Sequence, residues 1–269
     1  MAGKIKLVAT DIDGTIVKWD TSVSENVKNC IKNLQNNGIK VVLVTGRMHC
    51  ATEHLRNELG LNSPVVSYQG GLIKDNSGKT LYQENLDSKC AKEIIEWARE
   101  NTSHINLYLD DKLFVEHDND IVKSYTDGKF IDYTVCNFDD LEIKNVNKIL
   151  AIDLTDPEKV TGWVNLLREK YPDLYIVKST PYFCEIGSKD AKKSKGVQFL
   201  CHMWGIKPED VLTIGDQNND IDLVQCGGIG VAMGNGTPEL KECADFVTDT
   251  VENDGFVKAI NKFVIQPQE

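Results

Sequence analysis

The chain has 269 residues, 41% hydrophobic and 26% charged, an ordinary globular makeup with length for one large or two modest cores. Its net charge of −11 argues against a general nucleic-acid or anionic-membrane surface, so an anionic substrate would need positive charge supplied locally, by a metal or a few placed Lys or Arg. No apolar run approaches the ~20 residues that span a bilayer, no signal-peptide pattern opens the chain, and eight scattered cysteines without a Cys-x-x-Cys pair, with five scattered histidines, disfavour a zinc site and fit reduced thiols of a cytoplasmic protein.

Lys4 to Thr10 reads as a buried strand and ends at Asp11-Ile12-Asp13-Gly14-Thr15. Two carboxylates one residue apart leave a strand end on the same side, although the pentapeptide alone also fits an Asx-type turn. Ser24 to Asn37 carries Val27, Ile31 and Leu34 at helical spacing, with Ser24 as its cap and Gly38 as its stop. The strand Ile39 to Val44 ends at Thr45-Gly46-Arg47, read as the start of a helix that carries Ala51, Leu55 and Leu59. Pro64 to Tyr68 is a third strand, followed by Gln69-Gly70-Gly71. Strands alternating with single helices imply right-handed crossovers and a parallel sheet.

From about residue 84 to 187 the pattern becomes helix, paired strands, helix, paired strands, which predicts an antiparallel sheet with helices on one face. At about residue 194 the first rhythm returns. A helix carries Val197, Leu200 and Trp204, the strand Val211 to Ile214 ends at Gly215-Asp216, Ile221 to Cys226 is helical, and Ile229 to Met233 is a strand. The predicted architecture is therefore an α/β domain from residues 1–83 and 188–269, interrupted by an α+β module over 84–187.

The carboxyl ends of parallel strands share one edge of the sheet. Asp11, Asp13, Thr45, the Gln69 turn and Asp216 therefore converge. Carboxylates from two strand ends make an oxygen-rich site that suits Mg²⁺ together with a substrate phosphate. Thr45-Gly46-Arg47 offers a hydroxyl and backbone N–H groups to a phosphoryl oxygen. One lysine of the run Lys189, Lys192, Lys193 and Lys195 can neutralise the anion.

Asp11-Ile12-Asp13-Gly14-Thr15, Thr45-Gly46-Arg47, Lys195-Gly196 and Gly215-Asp216 through Asn219-Asp220 occur in the order found in haloacid dehalogenase (HAD) superfamily phosphatases. The run Gly230 to Asn235, with Ala244-Asp245 and Asp254-Gly255, resembles the Cof-type subfamily, whose class IIB cap is inserted between the second and third motifs. The resemblance implies a Rossmann-like parallel-sheet core with an inserted α+β cap, and a cytoplasmic Mg²⁺-dependent phosphatase of small phosphorylated metabolites. Sugar phosphates are the leading substrate class; pyridoxal phosphate and nucleotides remain open. It implies that Asp11 is the nucleophile that becomes an aspartyl-phosphate and that Asp13 is the general acid and base. Mg²⁺ would be held by the Asp11 carboxylate, the Asp13 carbonyl and Asp216. Thr45, Gly46 and Lys195 would bind the phosphoryl group, with Asn219 close by and Asp220 supporting the metal or lysine from behind. A phosphomutase of the phosphomannomutase type and a phosphoryl-accepting regulatory module are the alternatives. Two departures stand out. Relatives usually have Asn-Gly where this chain has Gln69-Gly70, and the stretch from Glu185 to the motif lysine is about two residues longer than usual. Counting from Glu185 lands on Lys193, whereas the Ser-Lys-Gly pattern lands on Lys195; we take Lys195, as the lysine whose backbone a packed helix would fix.

Overall fold

The computed structural model describes residues 5–18, 22–129 and 131–265; Lys4, the first residue of the expected opening strand, lies outside them. The chain divides into two compact units, one running up to Tyr82 and resuming at Lys192, the other spanning Gln83–Ala191.

The first unit begins with β1 (Leu7–Thr10), α1 (Glu25–Asn36), β2 (Lys40–Leu43), α2 (Glu53–Glu58), β3 (Val65–Ser67), β4 (Leu72–Lys74) and β5 (Thr80–Gln83). The hydroxyl of Ser24 accepts from the Val27 N–H at 3.2 Å and caps α1. Thr45-Gly46-Arg47 does not open a helix as expected, because the first helical turn after β2 is a short 3₁₀ segment, Cys50–Thr52, that leads into α2.

The second unit comprises α3 (Ser88–Asn101), β6 (His104–Leu109), β7 (Lys112–Val115), α4 (Asp120–Thr126), β8 (Tyr133–Val135), β9 (Val146–Ile152), α5 (Pro157–Lys170), β10 (Leu174–Thr180) and β11 (Phe183–Ser188). Its sheet runs β10-β11-β9-β6-β7-β8. Two details differ from the expected all-antiparallel sheet with helices on one face. β7 pairs with β8 in parallel, because α4 intervenes as a crossover. Ile105, Leu107 and Leu109 join the core under α3 and α5, whereas Tyr108 points the opposite way and bonds the Tyr125 hydroxyl of α4 at 2.7 Å. α4 and β8 are short and carry little periodicity, which is why the pattern does not reveal them.

The first unit resumes with α6 (Lys193–Trp204), β12 (Val211–Gly215), α7 (Ile221–Val224), β13 (Ile229–Ala232), α8 (Pro238–Cys243), β14 (Phe246–Val247) and α9 (Gly255–Ile260). Its sheet, β14-β13-β12-β1-β2, is parallel at every pairing, and an isolated parallel bridge from Val44 to Val66 sets β3 beside β2. Side-chain alternation fills both faces. Val8, Val41 and Ile214 pack with α1 and α9, while Leu7, Ala9 and Val42 pack with Val197, Leu200 and Leu223 of α6 and α7. Apolar layers on both faces leave the strand ends as the place where polar groups collect.

Candidate active site

β1 and β12 pair with Thr10 opposite Ile214, so Asp11 and Gly215-Asp216 leave neighbouring strand ends. β2 pairs on the other side, with Thr10 opposite Leu43, which brings Thr45 alongside. Asp11, Thr45, Asp216 and Asp220 are all buried. The strand-end residues Asp11, Thr45 and Asp216 thus converge through strand register.

The cationic partner of Asp11 is Lys193. Its ammonium donates to Asp11 Oδ1 at 2.6 Å and to Asp220 Oδ1 at 2.5 Å, and the side chain is 1% exposed. This corrects the choice of Lys195. α6 begins at Lys193, so both lysines have a helix-fixed backbone, and what separates them is the direction of the side chain. Lys195, half-buried, stands two residues on, where helical geometry turns it to another face. Gly196, expected to let the backbone approach the site, instead lets α6 approach β3, since a Cβ there would lie 2.4 Å from Val66 Cγ1.

Asp220 has both oxygens engaged. Oδ1 holds Lys193, and Oδ2 accepts the backbone N–H of Asp216 and of Gln217, each at 3.0 Å. Asp220 thereby closes the acidic turn and anchors the lysine. Asp216 differs. Its Oδ2 accepts from Gln217 Nε2 at 2.8 Å and Asn235 Nδ2 at 3.3 Å, whereas its Oδ1 is buried with no hydrogen-bond partner. Oxygens of Asp11, Asp216 and Asp220 lie within 4.8 Å of one another.

Three buried carboxylates thus face one ammonium. Burial pushes the Asp11 carboxyl well above the usual range, with Lys193 opposing and Asp220 and Asp216 adding to the rise. Burial likewise pushes Asp216 up to about 6, against its hydrogen bond from Gln217 and with the help of Asp220. Burial works against the charge of Lys193, yet Asp11 and Asp220 outweigh it and hold the ammonium protonated. A single ammonium does not balance this charge, and the unpartnered Asp216 oxygen is a vacant donor. The residues therefore fit a hard divalent cation bound through oxygen.

Asp13 points outward, about half exposed. It pairs with Arg47 through Nε to Oδ2 at 2.8 Å and through Nη2 to Oδ1. Thr45 Oγ1 accepts the Arg47 N–H at 3.1 Å, which shapes the turn. Gly14 is at φ +76°, and a Cβ there would lie 2.3 Å from Asp216 Oδ2, so only glycine allows the two loops to meet. Asn235 ties that junction together by donating to the Gly14 carbonyl at 2.9 Å. Sequence reading gave no role to Arg47, Gln217 or Asn235. All three stand within the quoted motifs, but nothing local says where their side chains aim.

Residues 8–260 match the family described as haloacid dehalogenase-like hydrolase. A Bacillus subtilis 5-amino-6-(5-phospho-D-ribitylamino)uracil phosphatase, YcsE, is 28% identical over 261 residues, covering 97% of this chain and 96% of its own. The crystal structure of a haloacid dehalogenase-like hydrolase from Bacteroides thetaiotaomicron is 28% identical, with a TM-score of 0.87 over 96% of this chain and 99% of that one. A solved structure described as a HAD subclass IIB sugar phosphatase, 22% identical over 95% of this chain and 98% of its own, shares the fold with a TM-score of 0.80. Among the described residues no helix is long and apolar enough to cross a membrane. By its sequence match and its Rossmann-like core, the chain belongs to the haloacid dehalogenase-like hydrolases and is a phosphoric monoester hydrolase.

Proposed function

We propose that the chain is a cytoplasmic, Mg²⁺-dependent phosphatase of small phosphorylated metabolites, phosphorylated sugars and polyols foremost, that works through an aspartyl-phosphate on Asp11. The observation that carries this reading is the buried Asp11–Lys193–Asp220 chain beside the unpartnered Asp216 oxygen. A nucleophilic carboxylate is thereby held next to one fixed positive charge and to a place for another. The substrate class draws on the ribityl phosphate named for the Bacillus subtilis relative.

In this reading Lys193 occupies Asp11 Oδ1, so the other oxygen attacks phosphorus. The leaving alcohol takes a proton from Asp13, which Arg47 orients from the site's exposed rim. Asp13 then takes a proton from the water that attacks the aspartyl-phosphate, and phosphate leaves with Asp11 restored. Thr45, the Gly46 backbone and Lys193 bind the transferring phosphoryl group, and Asn219 borders it. The Asp11 carboxylate, the Asp13 carbonyl and Asp216 would hold Mg²⁺, with Asp220 behind them, and the cation would neutralise charge on the phosphoryl oxygens. The inserted unit, Gln83–Ala191, takes the part of the cap.

A panel of sugar phosphates, ribityl phosphates, pyridoxal phosphate and nucleotides, assayed for phosphate release with Mg²⁺ and with a chelator, tests the reading. Release from at least one metabolite, lost on chelation and in Asp11→Asn, is expected. Release that persists in Asp11→Asn would overturn the mechanism.

A further inference from the structure

We infer that Gln69 is a positioning residue that sets the gap between the phosphoryl-binding turn at Gly46 and the acidic turn at Asn219; this rests on the phosphatase reading above. Three observations meet at this residue. First, Tyr68, Gln69 and Gly70 are consecutive left-handed residues, with φ of 51°, 57° and 100°. A bulky non-glycine pair in that region is a strained backbone. The strain persists because the Thr45–Arg47 turn holds it through two backbone hydrogen bonds. The Gln69 N–H donates to the Thr45 carbonyl at 2.9 Å and the Tyr68 N–H to the Arg47 carbonyl at 3.0 Å.

Second, the carboxamide of Gln69 spans the rim of the site. A Cβ built on Gly46 would lie 2.5 Å from Gln69 Nε2, so the amide lies directly over the Gly46 Cα. At its other end, Gln69 Oε1 accepts from Asn219 Nδ2 at 3.1 Å. One side chain thus joins the turns after β2 and after β12, which carry the phosphoryl-binding Thr45 and the acidic Asp216. Third, Gly70 next door sits against the start of α6, where a Cβ would meet the Lys192 carbonyl oxygen at 2.0 Å. The same turn therefore touches all three pieces that must close on a phosphoryl group: the Thr45 turn, the acidic turn and the helix start that carries Lys193.

The glutamine is also the residue at which this chain departs from the usual Asn-Gly pattern. Its extra methylene gives the reach from Gly46 to Asn219. A side chain in this place acts on geometry rather than on charge, and misplacement of reacting groups by an ångström is felt mainly in turnover.

The test uses the full chain with Mg²⁺ and a phosphomonoester substrate, and reads kcat, KM, melting temperature, and calorimetric binding of orthovanadate and of inorganic phosphate. Gln69→Gly removes the side chain while easing the left-handed backbone. We expect kcat to fall on the order of tenfold to a hundredfold, with KM and phosphate affinity little changed, vanadate affinity lowered in step with kcat, and melting temperature equal or higher. Gly46 does not have a left-handed φ, so alanine fits its backbone and keeps its N–H, and the protein atoms nearest the added methyl are those of the overlying Gln69 amide. Gly46→Ala should therefore repeat the loss, and the double variant should be no worse than the poorer single one. Parent-like kcat and vanadate affinity in Gln69→Gly, or full additivity in the double variant, would overturn the inference alone. A parent chain that neither hydrolyses phosphomonoesters nor binds vanadate would overturn the phosphatase reading, and the inference with it.

Discussion

Lys193 is a buried ammonium between two buried carboxylates. In the proposed mechanism, its removal strips the phosphoryl site of a fixed positive charge. Lys193→Ala should lower phosphate release on the order of a hundredfold or more, the scale of losing one preorganised donor. Lys195→Ala should stay within about threefold, as side chains outside such sites do. A dead Lys195→Ala beside an active Lys193→Ala would reverse the assignment. Asp216 makes a second prediction, about pH. Its carboxyl is pushed up to about 6 by burial. In the proposed Mg²⁺ site, its proton and the cation would compete for the same oxygens. In the metal-free protein the raised pKa favours the folded state below about pH 4, and that advantage is lost as pH rises through 6. Added Mg²⁺ should therefore raise the melting temperature strongly at pH 8 and little at pH 5, and not at all in Asp216→Asn. A rise that is the same at both pH values would show that Asp216 does not hold the cation.

At the scale of elements, α6 decides where the lysine stands. Its N-cap residue, Lys192, makes no side-chain cap bond. The cap comes instead from Asp222 in α7, whose Oδ2 accepts the Ser194 N–H at 2.8 Å. The local residues around Ser194-Lys195-Gly196 look like a helix opening, while the group that caps the helix stands 28 residues away, so the neighbouring sequence does not mark Lys193 as the first residue. Asp222→Ala should cost about 1 kcal/mol of stability, the usual scale for a lost cap. It should also lower kcat several-fold by loosening Lys193, with both effects read by melting and by kinetics. Unchanged kcat in the destabilised variant would separate the cap from the site. The elements that were legible, α1 and the strands of the parallel sheet, are those whose signals lie within a few residues of one another. Those that were not, α4 and β8, are three to seven residues long and owe their form to tertiary partners such as Tyr108 against Tyr125.

For the whole molecule, Asp11, Asp13, Arg47, Lys193, Asp216 and Asp220 all belong to the unit that ends at Tyr82 and resumes at Lys192, and each unit carries its own apolar core. A chain in which a short Gly-Ser linker replaces residues 83–191 should fold and keep its Mg²⁺-dependent rise in melting temperature. Loss of that rise in a cooperatively folding variant would place cation binding partly in the inserted unit. The sequence by itself determined the alternation of strand and helix, the interruption by a second module and the convergence of acids at strand ends. These follow from side-chain periodicity and from the rule that parallel strands end on one edge. Only the tertiary structure decided which lysine meets Asp11, which carboxylate oxygen is left unpartnered, and that Gln69 spans from Gly46 to Asn219. Each of those depends on strand register, on side-chain direction and on burial, which join residues up to 182 positions apart; for the lysine, the neighbouring sequence offers both Lys193 by spacing and Lys195 by pattern and does not choose between them.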